Sequence, residues 1–144
     1  MKGQYQIFEQ VIIFGIGLII LTSVFAIFNL LGEQVNVIAI HDNFKDVGLV
    51  AASNIIELYG QGKYFYNATA KLYVPKVIGN RLYELSIDKN GVHVNATDSG
   101  IYRSIIGLYN LNGTVLKLRG VELSMQSPLK LIFYNYTKEV VLQR

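Results

Sequence analysis

Val11 to Leu31, VIIFGIGLIILTSVFAIFNLL, is an apolar run without a single charged residue. At about 1.5 Å per residue, a helix of this length spans roughly 30 Å, the hydrocarbon thickness of a bilayer. Thr22, Ser23 and Asn29 are its few polar members, and small hydroxyls can bond back to a helix carbonyl. Gly15 and Gly17 weaken a soluble helix but are common in spanning ones. Their spacing is not that of a GxxxG dimer motif. A buried helix of a soluble core would be shorter and would keep a polar face. The run therefore predicts a membrane-length helix, and the rest of the chain must be built around it.

Of 144 residues, about 80 to 110 remain beyond the span and its continuation, enough for one small domain but not two. The net charge of +3 is spread along the sequence, whereas nucleic-acid binding asks for a basic patch or stripe. No nucleic-acid partner is expected. The chain has no cysteine, so neither a disulfide framework nor a thiolate metal site can form.

A secretory signal peptide has a shorter apolar region and a small-residue cleavage site. Here the run is long, and Leu31-Gly32-Glu33-Gln34 is not of the A-x-A kind, so the span is expected to stay attached. Lys2 and the initiating amine precede it, while Glu33, Asp42 and Asp46 follow it. The positive-inside rule then puts the N-terminus in the cytoplasm and residues from Gly32 onward outside. Four N-x-S/T sequons, at Asn67, Asn95, Asn112 and Asn135, point the same way, since each accepts a glycan only outside the cytoplasm. Chance alone can supply one or two in a chain of this size.

Glu9 stands two residues before the run, directly after Ile7-Phe8. A carboxylate drawn toward the bilayer centre costs a few kcal/mol and needs a partner. Either it stays wet at the headgroup level, or it pairs with a cation on a neighbouring copy of the helix.

From Glu33 to Tyr59 the pattern becomes amphipathic. Val37, Ile40, Phe44, Val47, Ala51, Ile55 and Leu58 recur at three- and four-residue spacing, a helix stripe. Gly60-Gln61-Gly62 is a strong stop. One long helix, or two nearly collinear ones with Gly32 bending the junction, is expected from about residue 5 to 59. After Gly62 the periodicity is that of strands. The expected strands run from Tyr64 to Val74, Leu82 to Asp88, Val92 onward, Ile101 to Leu108, Thr114 to Met125 with a break or bulge at Gly120, Leu129 to Tyr136, and Val140 to Leu142. Turns are expected at Gly79-Asn80, Asn90-Gly91, Asp98-Gly100 and Asn112-Gly113. The fold class is α+β: a long N-terminal helix, hydrophobic then amphipathic, packed on a C-terminal antiparallel sheet or small sandwich.

Catalysis needs convergent groups, and little is on offer. His41 and His93 lie on different elements with no ligand-spaced neighbour. The sequence has no G-x-S-x-G, P-loop or Rossmann fingerprint. No enzyme activity, cofactor or metal is expected. The ten tyrosines could stack on sugars or form an adhesive face, though such residues more often line half-buried sheet faces.

Lys2-Gly3-Gln4, then Glu9, then a long apolar helix resembles the class III signal peptide of archaeal type IV pilin-like proteins. Gln4 to Phe14, QYQIFEQVIIF, is similar to the start of those proteins, and Lys71 to Leu85 is loosely similar to a segment found in them. The resemblance implies a cut by a prepilin peptidase between Gly3 and Gln4 on the cytoplasmic side. Residues 1–3 would then be leader, 4–32 a membrane and filament-core helix, 33–60 its amphipathic continuation, and 61–144 an extracellular β-domain, together a lollipop. Glu9 is sixth after the cut, where the family usually has a glutamate fifth, and Gln6 stands where a serine is often found. The new amine on Gln4 is positive and Glu9 negative, so two staggered helices could neutralise each other in an apolar bundle. The function implied is a structural and adhesive subunit of a surface filament, partnered by sister subunits. The alternative is a permanently anchored, non-polymerising β-domain that binds the cell envelope, similar to archaellum accessory proteins.

Overall fold

The computed structural model describes residues 2–62, 64–98, 100–108 and 116–144, with side chains from residue 6 onward. One helix, α1 (Lys2–Gly62), precedes seven strands: β1 (Asn67–Leu72), β2 (Tyr83–Asp88), β3 (Gly91–Ala96), β4 (Arg103–Ile106), β5 (Lys117–Leu123), β6 (Leu129–Tyr134) and β7 (Glu139–Gln143). The fold class is α+β. The chain divides into two compact units, Met1–Ile38 and Ala39–Arg144.

Helix α1 runs unbroken through Gly32, the first of the two expected arrangements. Within unit 2 its apolar stripe packs on the sheet as the spacing predicts. Ile40, Phe44, Val47, Ala51, Ile55 and Leu58 are buried, joined by Ala52. Val37 is not; it belongs to unit 1 and is exposed. Phe44 sits edge-on to Tyr83 at 5.8 Å and stacks with Tyr102 at 6.2 Å, while Tyr59 meets Phe133 edge-on at 5.8 Å. The two edge-on pairs add to burial because the positive edge of one ring faces the negative face of the other.

The first strand is shorter than expected at both ends. Tyr64, Phe65 and Tyr66 form a turn that still follows the helix, with N–H groups of Tyr64 and Phe65 donating to the carbonyls of Gln61 and Gly62. At the other end, the Val74 N–H turns to the Ser127 hydroxyl. The Gly79-Asn80 turn is present, both residues at positive φ, closed by reciprocal bonds between Ile78 and Arg81. Ser124 is buried at the centre of this region. Its hydroxyl donates to the Lys76 carbonyl and accepts from the Tyr83 N–H. The Tyr83 hydroxyl donates to the Pro75 carbonyl, and burial pushes its phenol well above the ordinary tyrosine range.

The seven strands form one sheet in the order β1-β6-β7-β5-β2-β3-β4, not a sandwich. It is antiparallel except for one pair: β5 runs parallel to β7. Residues 117–119 of β5 pair with β7, and residues 120–123 pair with β2. The strand thus continues through Gly120 instead of breaking there, and changes partner. Gly120 has φ +141, and a Cβ built on it would lie 2.4 Å from the Leu142 carbonyl oxygen. Only glycine has both the conformation and the room. The Asn112-Gly113 turn lies outside the described residues.

The β2–β3 hairpin forms one residue off the expected register. Asp88 pairs with Gly91, so the loop is Lys89-Asn90 and Gly91 opens β3. The Asp88 carboxylate accepts the Asn90 N–H at 2.7 Å, a local bond that fixes this turn in place of an Asn-Gly one. Along β2, Tyr83, Leu85 and Ile87 are buried and alternate with half-buried residues, the period-2 pattern of a strand covered on one face.

Candidate functional site

Among the described residues of unit 1, the apolar side chains of the helix are largely exposed. Ile7, Phe8, Val11 to Phe14, Leu18 to Leu21, Phe25, Phe28, Leu30 and Leu31 are all exposed. The Thr22 hydroxyl donates to the Leu18 and Ile19 carbonyls, and the Ser23 hydroxyl donates to Ile19 at 2.7 Å. These two hydroxyls are therefore satisfied without water. The helix is long and apolar enough to cross a membrane.

The Gly3–Gln4 bond lies in the first turn of α1, among the backbone N–H groups that have no helical partner. Lys2 and Gly3 share that turn. Glu9 is exposed on the same helix. Positions 4 and 9 are about 7.5 Å apart along the axis and about 140° apart around it, so one helix does not bring them together. Any pairing between them joins two copies.

The four sequons have unequal surroundings. Asn67 and Thr69 are both exposed on β1, an edge strand. Asn95 is half-buried within β3 between Glu84 and Arg103, and Thr97 of that sequon donates its hydroxyl to the Leu82 carbonyl. The Asn135 Nδ2, the atom that would carry a glycan, donates to the Phe65 carbonyl at 3.0 Å, and its Oδ1 accepts from Lys138. Asn112 lies outside the described residues. Of the three described, Asn67 has the open geometry.

No family model, curated protein or solved structure matches the chain.

His41 is exposed on α1. His93 faces away from the core, between buried Val92 and Val94, and its Nε2 lies 2.9 Å from Asp88 Oδ1. This pair, five residues apart across the hairpin, is one that ligand spacing does not reveal. Desolvation pulls the Asp88 carboxyl upward. The Asn90 N–H, the bond and charge of His93, and the Gly91 N–H outweigh it and hold Asp88 below the usual range. A depressed carboxyl stabilises the folded form above its unfolded value, about 3.9, and that contribution is lost as pH falls through the folded value. Acidification below about pH 4 is thus expected to speed hydrogen exchange at the Asn90 and Gly91 amides, and Asp88→Asn to remove that pH dependence. Equal exchange at pH 3 and pH 6 after correction for intrinsic rates, at about these values, would contradict it.

On the sheet face turned away from α1, β1, β6, β7 and β5 frame a shallow cleft of about 350 Å³ lined by Asn67, Arg119, Tyr134, Tyr136, Glu139 and Gln143, among others. Asn67, Tyr134 and Glu139 stand in one cross-strand row. Arg119 Nε bonds Glu139 Oε1 at 2.7 Å. These residues span positions 67 to 143, so only the sheet order assembles them. Among the described residues, no three His, Asp or Glu side chains are grouped to hold a metal ion.

Proposed function

We propose that the chain is a structural subunit of an archaeal type IV pilus-like surface filament, with a role in adhesion. It would be made as a single-pass membrane precursor, its N-terminus cytoplasmic and its β-domain outside. The observation that carries this reading is the α1 segment of unit 1, apolar around its whole circumference and uncovered, with Glu9 placed just before it. Lipid and a bundle of sister helices are equally apolar surroundings, so moving the helix from one to the other costs little.

In this mechanism a prepilin peptidase removes residues 1–3, and Gln4 gains a free amine. That amine and Glu9 of a sister helix neutralise each other and fix the stagger between subunits. Leaving either charge alone in the bundle is strongly penalised, so wrong registers are disfavoured. A glycan at Asn67 would lie on the outer surface of the β-domain.

Mass spectrometry of the N-terminal peptide of the surface-purified protein tests the reading. A chain beginning at Gln4 and recovered in filaments is the expected result. Glu9→Ala is then expected to abolish incorporation into filaments while leaving the membrane pool intact, read by electron microscopy and by blotting sheared filaments against membranes. An intact Met1, with only monomers at the surface, would instead mark a permanently anchored domain.

A further inference from the structure

We propose that the cleft between β1, β6, β7 and β5 binds one pyranose ring of a neutral saccharide. Tyr134 is half-buried and Tyr136 is 96% exposed, so one ring is fixed by packing and the other projects beside it. A pyranose has an apolar C–H face, which suits a tyrosine ring, and a rim of hydroxyls that both donate and accept. Asn67 and Gln143 offer amides that do the same, and the Arg119–Glu139 pair offers a donor fork beside an acceptor.

Charge selects against other ligands. The cleft holds one cation and one anion bonded to each other, which cancel and favour neither a phosphate nor a cation. Its size, about 350 Å³, falls at the lower end of small-molecule sites, roughly 300–1,000 Å³. The loops around it are held in place. The Asn135 N–H donates to Tyr66 and its Nδ2 to Phe65, tying the turn that carries Tyr136 to the turn that carries Tyr64 and Tyr66. That tie reduces the entropy lost when the cleft is occupied.

The saccharide has two possible sources: a soluble or surface glycan from outside, or a sugar attached at Asn67 of this chain. The site stands apart from the filament reading, and the outcome of N-terminal processing leaves it unchanged. The test uses the full chain from a non-glycosylating bacterial host, held in a detergent without sugar headgroups. Glucose, galactose, mannose and N-acetylglucosamine are titrated while the tyrosine ring resonances are followed by NMR.

Saturable shifts at Tyr134 and Tyr136 with a millimolar Kd are expected for at least one probe. Tyr136→Ala, on a fully exposed side chain, and Arg119→Ala should each weaken binding about ten-fold, a loss of about 1.4 kcal/mol. Tyr73→Ala, at an exposed tyrosine elsewhere, should leave it unchanged. Asn67→Gln should still bind free sugar. If chain from a glycosylating host loses free-sugar binding and Asn67→Gln restores it, the occupant is the chain's own glycan, and the site stands. Absence of shifts at tens of millimolar of every probe overturns the proposal. So does binding as tight as the parent's in both Tyr136→Ala and Arg119→Ala, or shifts at these tyrosines that follow protein concentration alone, which would make the face a contact between copies.

Discussion

Gly120→Val is expected to unfold unit 2 under conditions in which the parent chain is folded. The position combines φ +141 with a carbonyl oxygen 2.4 Å from where a Cβ would sit, and Leu142 N and Cβ within 2.8 Å. These are mostly backbone atoms of β7, so no rotamer change relieves the clash. Moving β7 away would break the parallel pairing on one side of β5, and moving β5 would break its pairing with β2 on the other. Strain in the backbone adds about 1–3 kcal/mol, and the displaced pairing adds more, so a loss above about 4 kcal/mol is expected. A domain with about 5–15 kcal/mol in hand does not tolerate much beyond that. Near-ultraviolet circular dichroism during urea titration of the full chain in micelles measures it. Gly120→Ala should shift the midpoint in the same direction by less. A valine variant within about 0.5 kcal/mol of the parent would mean that β5 does not change partners at this residue.

Phe44→Ala is the second large effect, at about 3–5 kcal/mol. Phe44 is fully buried and lies between the rings of Tyr83 and Tyr102, so truncation leaves a cavity bordered by two aromatic rings. The loss combines burial, at about 25 cal/mol per Å², with the ring–ring contacts. Leu49→Ala, on the open face of the same helix and 46% exposed, should stay within about 0.5 kcal/mol. Similar losses for both would show that α1 does not lie on the sheet by the Phe44 face. The same denaturation experiment reads both variants.

Much of this core was legible in the sequence because two simple periods survive in it. The stripe from Ile40 to Leu58 keeps the helical spacing, and Tyr83, Leu85 and Ile87 keep the strand alternation, since each element buries one face only. The departures arise where a local bond or a distant neighbour overrides the period. Tyr64 to Tyr66 look like strand residues, yet the N–H groups of Tyr64 and Phe65 remain with the helix carbonyls before them. Asn90-Gly91 looks like a two-residue turn, yet the Asp88 side chain moves the turn back by one. Gly120 looks like a break because nothing nearby in sequence announces Leu142 against it. The candidate sites divide in the same way. Glu9 and the apolar run are contiguous and readable, as are the sequons as motifs. That Asn135 has its amide nitrogen occupied, or that Arg119 meets Glu139 beside Tyr134, depends on pairings between residues far apart in the chain.

Strand β7, the last to be made, sits third of the seven, flanked by β6 and β5. Until residues 139–143 have left the ribosome, the piece containing β1 and β6 has no connection by ladder to the piece containing β2, β3 and β4. Closure is therefore a late, non-local event of the slow kind that high contact order imposes. In the interval the nascent chain carries an uncovered Phe44 stripe and open strand edges, both prone to self-association. A holding factor, or a barrier that keeps copies apart while they are threaded across it, would serve this sequence better than free solution.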